Sequence, residues 1–228
     1  MARAVALSAI ETQVRQRAQM ENSAFVTSAE MLNYINASAC ELYELLVAAR
    51  GKEFYLASQI ITTSAGTTGY SLASDFYEVV GVDLAVSGRN VTLQRYEFAE
   101  RNRFQNPVVI PAFTPLVYGL EGSTLRLLPA PTAAQTVTVW YVPAPTRYTT
   151  TDSTFDGIAG WEEYIVVDCV IRCLQKQESD VSTFMGQKEA LRRRIQAMAT
   201  MRDRSQAPRV TDVTIVDDVN WRTFLGRA

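Results

Sequence analysis

Apolar residues along this chain follow two rhythms. Near the N-terminus they recur every three or four positions: Leu7, Ile10, Val14 and Ala18 predict a helix over residues 5–21. A second helix is marked at both ends. Thr27 with Glu30 forms a capping box, Val26 and Met31 supply the hydrophobic staple around it, and Gly51 offers a left-handed stop after Arg50. Between them Ile35, Ala39, Leu42 and Leu46 hold one stripe. From Phe54 to Val142 the rhythm shortens to alternation, rich in β-branched and aromatic residues and punctuated by Gly, Pro, Asn and Ser. Strands are expected near 54–62, 69–72, 76–84, 90–95, 116–120, 124–128 and 135–142, with turns at Ser87-Gly88 and Gly122-Ser123. In the last strand Val137, Val139 and Tyr141 share one face and Thr138, Trp140 and Val142 the other, so both faces want cover, one of them from a neighbouring subunit. Residues 96–104 read as a short helix, and 107–115, spaced by Pro107, Pro111 and Pro115, as an extended surface loop.

Pro143 and Pro145 close the alternating block, and a Thr/Ser/Asp-rich linker leads back to helical spacing. In Trp161–Gln177 apolar residues fall on nearly every side, so a helix there needs covering on more than one face, by this chain or by another copy. Ser179 or Asp180 caps a final helix whose stripe is Val181, Phe184, Leu191, Ile195 and Met198. Past Pro208 the tail is apolar and too short for a core of its own, which makes it a docking arm; its candidate contacts are Pro208, Arg209, Val213, Ile215, Trp221, Phe224 and Leu225. The expected fold is α+β: N-terminal helices (1–51) and C-terminal helices (146–207) form one helical bundle, interrupted by an antiparallel β-sandwich or barrel-like insert (52–145) and followed by an extended C-terminal arm (208–228).

Composition narrows the function. The 228 residues carry a net charge of −2 and 47% hydrophobic residues, enough to fold but giving no whole-chain pull towards nucleic acid or membrane. Three cysteines at unpatterned spacings make no disulfide framework, and no run is long and apolar enough for a membrane span, so a soluble, reduced intracellular protein is expected. The sequence contains no histidine, which removes Ser/His/Asp and Cys/His nucleophile systems and histidine metal sites. No phosphate-loop or dinucleotide motif is present; SAGTTG at 64–69 lacks the phosphate-binding lysine. Carboxylate-pair hydrolase chemistry survives these exclusions. No cofactor, metal or catalytic residue is assigned.

Within the apolar helix, Asp168 and Arg172 are spaced to pair with each other or with a partner helix. Cys169 and Cys173, like Cys40, read as core fillers rather than ligands. Residues 181–209 hold seven basic side chains (Lys188, Arg192, Arg193, Arg194, Arg202, Arg204 and Arg209) against Glu189 and Asp203, a local +5. That patch is a solvated face with Glu189 paired to Arg193, a subunit or partner interface, or a contact to DNA backbone.

The order of parts resembles the head-to-tail adaptor (connector) proteins of tailed bacteriophages. The likeness rests on the helix from Thr27 to Arg50, YSLASDFYEVVGVDL (70–84), LVYGLEGSTLRLLPAP, VTVWYVPAP, GWEEYIVVDCVIRCLQKQESD (160–180) and RDRSQAPRVTDV (202–213). Ala73 departs from the pattern, which has proline after YSL. The resemblance implies a structural virion protein at the head–tail junction, made in the host cytoplasm. It implies a homo-oligomeric ring, commonly twelve-fold, docked beneath the portal protein by a C-terminal segment. That ring would line part of the DNA channel, touch packaged DNA transiently, and carry tail or nozzle proteins. A tail-tube or stopper subunit is the alternative in the same setting, a carboxylate-dependent phage hydrolase the catalytic one, and a DNA-binding module the third.

Overall fold

A computed structural model describes residues 4–50, 52–105, 116–156 and 160–199. The chain is α+β. Helices α1 (Leu7–Arg17) and α2 (Ser28–Arg50) come first, α4 (Glu162–Lys176) and α5 (Ser182–Ala199) come last, and the strands lie mainly between them. The predicted first helix is shorter than its apolar spacing suggested because its leading residues do other work. Ala4–Ala6 form strand β1, which pairs antiparallel with β10 (Thr154–Asp156) of the linker. At its far end Gln19 adopts φ +57°, and Met20 N–H donates to Arg15 O at 2.8 Å while Gln19 N–H donates to Gln16 O at 3.2 Å. That is a Schellman stop built on glutamine rather than glycine.

Helix α2 starts as its cap foretells: Thr27 Oγ1 accepts from Glu30 N–H at 3.2 Å, with Val26 and Met31 fully buried beside it. The Glu30 carboxylate turns instead to Tyr34 Oη (2.8 Å) and Lys176 Nζ (2.6 Å), tying the cap to the end of α4. Gly51, the expected stop, lies outside the described residues. Helix α4 sits at the centre of the bundle. Tyr164 through Ile171, and Cys173, are buried by α1, α2 and α5 of the same chain, each residue at 5% exposure or less. Of the two covers the sequence leaves open, this chain's own helices supply the one observed. Burial of each large aliphatic side chain there stabilises by roughly 1.5–3 kcal/mol. A second Schellman stop ends α4, with Glu178 at φ +56° and Ser179 N–H donating to Leu174 O at 3.0 Å. Ser179 is thereby used, and Asp180 caps α5, its carboxylate accepting from Ser182 N–H at 2.9 Å.

Apart from the β1–β10 pair, the described strands form two four-stranded sheets. One has the order β2 (Ala57–Thr62), β9 (Thr136–Pro143), β4 (Phe76–Val86), β5 (Arg89–Thr92). The other has the order β3 (Gly69–Ser71), β8 (Thr124–Leu128), β7 (Val117–Glu121), β6 (Gln94–Arg95). Among the described residues pairing is antiparallel except between β6 and β7. Ile61, Val82, Val137, Val139, Leu125 and Leu127 from both sheets meet in one core. The hairpin turns are as the sequence reads them: Ser87 and Gly88 both take positive φ (49° and 78°), the type I′ requirement, and Gly122 takes φ +60°. The short helix expected over 96–104 is present in its second half, as a 3-10 turn (Phe98–Glu100) leading into α3 (Arg101–Gln105); residues 107–115 lie outside the described residues.

Of the β9 side chains, Val137, Val139, Tyr141 and also Val142 are buried; Trp140 is half-buried and its Nε1–H donates to Asp83 at 2.8 Å. The departure at Ala73 has a physical reason. Its N–H donates to Gln59 Oε1 at 2.8 Å, while Gln59 Nε2–H donates to Ser71 O at 3.2 Å, so this side chain ties β2 to the end of β3. Proline at 73 has no N–H to give.

Candidate functional site

Helix α5 is the element that brings the candidate surface together. Only Ile195 and Ala199 of its residues are buried, and Phe184 and Leu191 are half-buried. Met198, placed on the buried stripe by its hydrophobicity, is 51% exposed; Ala199, one step on, takes the inward position. What the helix lacks in apolar contact it supplements with a polar network reaching α2 and α4. Lys188 Nζ–H donates to Asp168 Oδ1 at 2.8 Å and to Glu41 Oε2 at 2.9 Å. Arg172 Nε–H donates to Asp168 Oδ2 at 2.9 Å, and the Ser38 hydroxyl donates to the same oxygen. Tyr164 Oη–H donates to Glu41 at 2.6 Å and completes the set.

Asp168 is 3% exposed, and its environment sets its charge. Burial alone pushes the carboxyl up, but hydrogen bonds from Lys188, Ser38 and Arg172 outweigh it and hold the group below the usual carboxylate range. Burial pulls the Lys188 ammonium down, yet its bonds to Asp168 and Glu41 hold it above the ordinary lysine value. Both groups stay charged at neutral pH. Burial pushes the Cys169 and Cys173 thiols up to about 12 and about 11, so they are inert fillers.

These facts relocate the basic patch. Lys188 faces into the bundle with its charge matched, and does not belong to an outward patch. Arg193 pairs with Glu189 at 3.1 Å, and Arg194 lies over the Trp161 ring at 5.8 Å. Arg192 is exposed at the mouth of a cavity of about 430 Å³, lined also by Glu41, Asp168, Arg172 and Glu189. Arg202, Arg204 and the arm residues Pro208, Arg209, Val213, Ile215, Trp221, Phe224 and Leu225 lie outside the described residues. The outward side of α5 therefore presents Arg192, Arg193 and Met185, with Met198 towards its end.

The same cavity tests the hydrolase alternative. Paired-carboxylate chemistry needs one carboxyl held protonated near neutral pH. Asp168 is held in the opposite state, and Glu41 spends both oxygens on Tyr164 and Lys188. Among the described residues no group of three or more His, Cys, Asp or Glu side chains is arranged to hold a metal ion, and no helix is long and apolar enough to cross a membrane.

The charged groups lining the cavity are thus committed to one another, tying α5 to α2 and α4. Comparison with protein families decides the matter: the family model for the SU10 adaptor protein matches residues 6–213. The chain belongs to the SU10 adaptor protein family. It is a phage head-to-tail adaptor with a structural role at the junction, where it associates with other neck proteins. The match takes in both sets of helices, the sheets and the start of the adaptor's C-terminal segment, including Pro208, Arg209 and Val213. Ile215, Trp221, Phe224 and Leu225 lie beyond it. A search of curated proteins finds no match to this adaptor.

The sequence did not mark Ser38, Glu41 and Tyr164 as members of the adaptor's polar network. A signal was available: Ser38 and Glu41 flank the apolar stripe of α2 three residues apart, one small and one acidic, where the stripe faces α4.

Proposed function

We propose that this adaptor assembles into a closed ring of identical copies, twelve in number, seated beneath the portal protein and lining part of the DNA channel. The observation that carries the reading is the family match across residues 6–213. The physical arrangement supports it. Each chain covers its own central helix and so is able to fold before assembly, leaving the exposed side of α5 as an apolar and basic strip for a neighbour, or for DNA backbone on the lumen side. Arg192, Arg193 and Arg194 are assigned to that strip, and Arg202 and Arg204 of the following sequence to the same role. The C-terminal arm from Pro208 engages the portal, with Trp221 and Phe224 as its anchors. Tail or nozzle proteins join on the opposite side of the ring.

Removal of residues 208–228 tests the arm. The truncated chain is expected to stay folded and to lose co-purification with the portal; retained portal binding would remove the arm from the account. A tail-tube or stopper role is the rival, and it predicts binding to tail components with none to the portal.

A further inference from the structure

A cleft of about 690 Å³ lies between the last turns of α2 and the Pro143–Tyr148 linker. Its walls are apolar and aromatic, with Leu46, Tyr43, Tyr55, Pro143, Tyr148 and Phe155 among them. Two charges stand at its rim. Arg147 is exposed, and among the described residues no carboxylate pairs with it; Asp75 is exposed and accepts from Tyr141 Oη–H at 3.0 Å. A second depression of about 580 Å³, lined by Asn33, Asn36, Ala37 and Cys40, shares Pro145, Thr146 and Arg147, so the hollow continues along α2 past the arginine.

The sequence beyond α5 carries matching chemistry. Asp217 and Asp218 precede Trp221, and Arg222 follows it: two negative charges, an aromatic, then a positive charge. The cleft offers a positive rim, an aromatic floor and a negative rim. Reach also agrees. Lys188 stands opposite Glu41, and α5 runs parallel to α2, both being antiparallel to α4, so the chain leaves Ala199 beside the C-terminal end of α2, where Leu42 and Leu46 line the cleft. Trp221 is 22 residues further on. Even by random-coil statistics, 22 residues span about 25 Å, enough to reach back beside α2. A site tethered this closely meets its ligand at roughly millimolar effective concentration, which favours the chain's own arm over a neighbour's.

We propose that this cleft is the resting site of the adaptor's own C-terminal segment, with Trp221 seated among Tyr43, Tyr55 and Pro143, Asp217 and Asp218 at Arg147, and Arg222 at Asp75. In the free chain the aromatic tip is thereby covered, and an assembly partner has to displace it. The inference concerns the isolated chain, so it stands or falls apart from the ring and portal reading.

The test uses the full chain labelled with 5-fluorotryptophan. Its three tryptophans give three fluorine resonances, with Trp221 assigned by W221F and Trp161 reporting the folded bundle. The Trp221 resonance is expected to show a small water/deuterium-oxide shift, near that of Trp161, unchanged on tenfold dilution. Arg147→Glu should lower the docked-to-free ratio about tenfold. Asp217→Arg with Asp218→Arg in that background should restore it. A Trp221 shift equal to that in urea would overturn the proposal, as would protection that fades on dilution or that ignores Arg147→Glu.

Discussion

Replacing Lys188 by methionine removes the cation that Asp168 and Glu41 share while keeping the side chain's length and its apolar stem. Asp168 retains Ser38 and Arg172, and Glu41 retains Tyr164, so neither carboxylate is stranded outright. Loss of one partner from a fully buried ion pair costs about 3–5 kcal/mol. Here Lys188 is 25% exposed and Glu41 37%, so solvent screening reduces the figure, and about 2 kcal/mol is expected. For a chain of this size that lowers the melting midpoint by roughly 4–8 °C. The acid limb provides a second readout. The folded Asp168 carboxyl titrates below its ordinary value, so its contribution is present above about pH 4 and is lost as pH falls through the folded value. Without Lys188 the folded value rises, and acid unfolding begins at a higher pH. Thermal and denaturant unfolding from pH 2 to 8 measures both effects, and a double-mutant cycle with Asp168→Asn isolates the pair. A variant with wild-type midpoint and acid limb, or costs that simply add, would show that α5 is held by its apolar contacts alone.

Two further perturbations separate the insert from the surface. A Cβ on Gly119 would lie 2.5 Å from the Tyr96 ring, so Gly119→Ala is expected to destabilise by about 1–3 kcal/mol in denaturant unfolding, and an unchanged midpoint would mean that the ring swings away freely. Arg192→Glu, Arg193→Glu and Arg194→Glu together remove the exposed Arg193–Glu189 pair and the Arg194 contact with the Trp161 ring, so the isolated chain should stay folded with a midpoint a few degrees lower while ring assembly or DNA retention in virions fails; normal virions would return these arginines to a solvated face.

Where local chemistry decides structure, the sequence is legible. The Thr27 cap, Ser87-Gly88, and the alternation of Val137, Val139 and Tyr141 each act within a few residues, and each appears where its pattern places it, though the Glu30 half of the capping box goes to Lys176 instead. What stayed hidden depends on partners distant in the chain. AVA and TFD are too short for a period, and only their pairing across some 150 residues makes them strands. Lys188 reads as surface charge until Asp168 and Glu41 are seen on the facing helices. The apolar belt of α4 called for cover, and the pattern alone does not say whether that cover is internal; α1, α2 and α5 of the same chain supply it. Ala199 displaces Met198 because the helical step, not side-chain size, chooses which residue points inward.

The role at the head–tail junction is tested most directly by electron microscopy of the virion neck at a resolution that traces side chains. The account predicts a ring of identical copies directly beneath the portal, each with α5 towards a neighbour or the lumen and its C-terminal segment against the portal. A neck whose density admits no copy of this fold, or a chain found within the tail tube away from the portal, would contradict it.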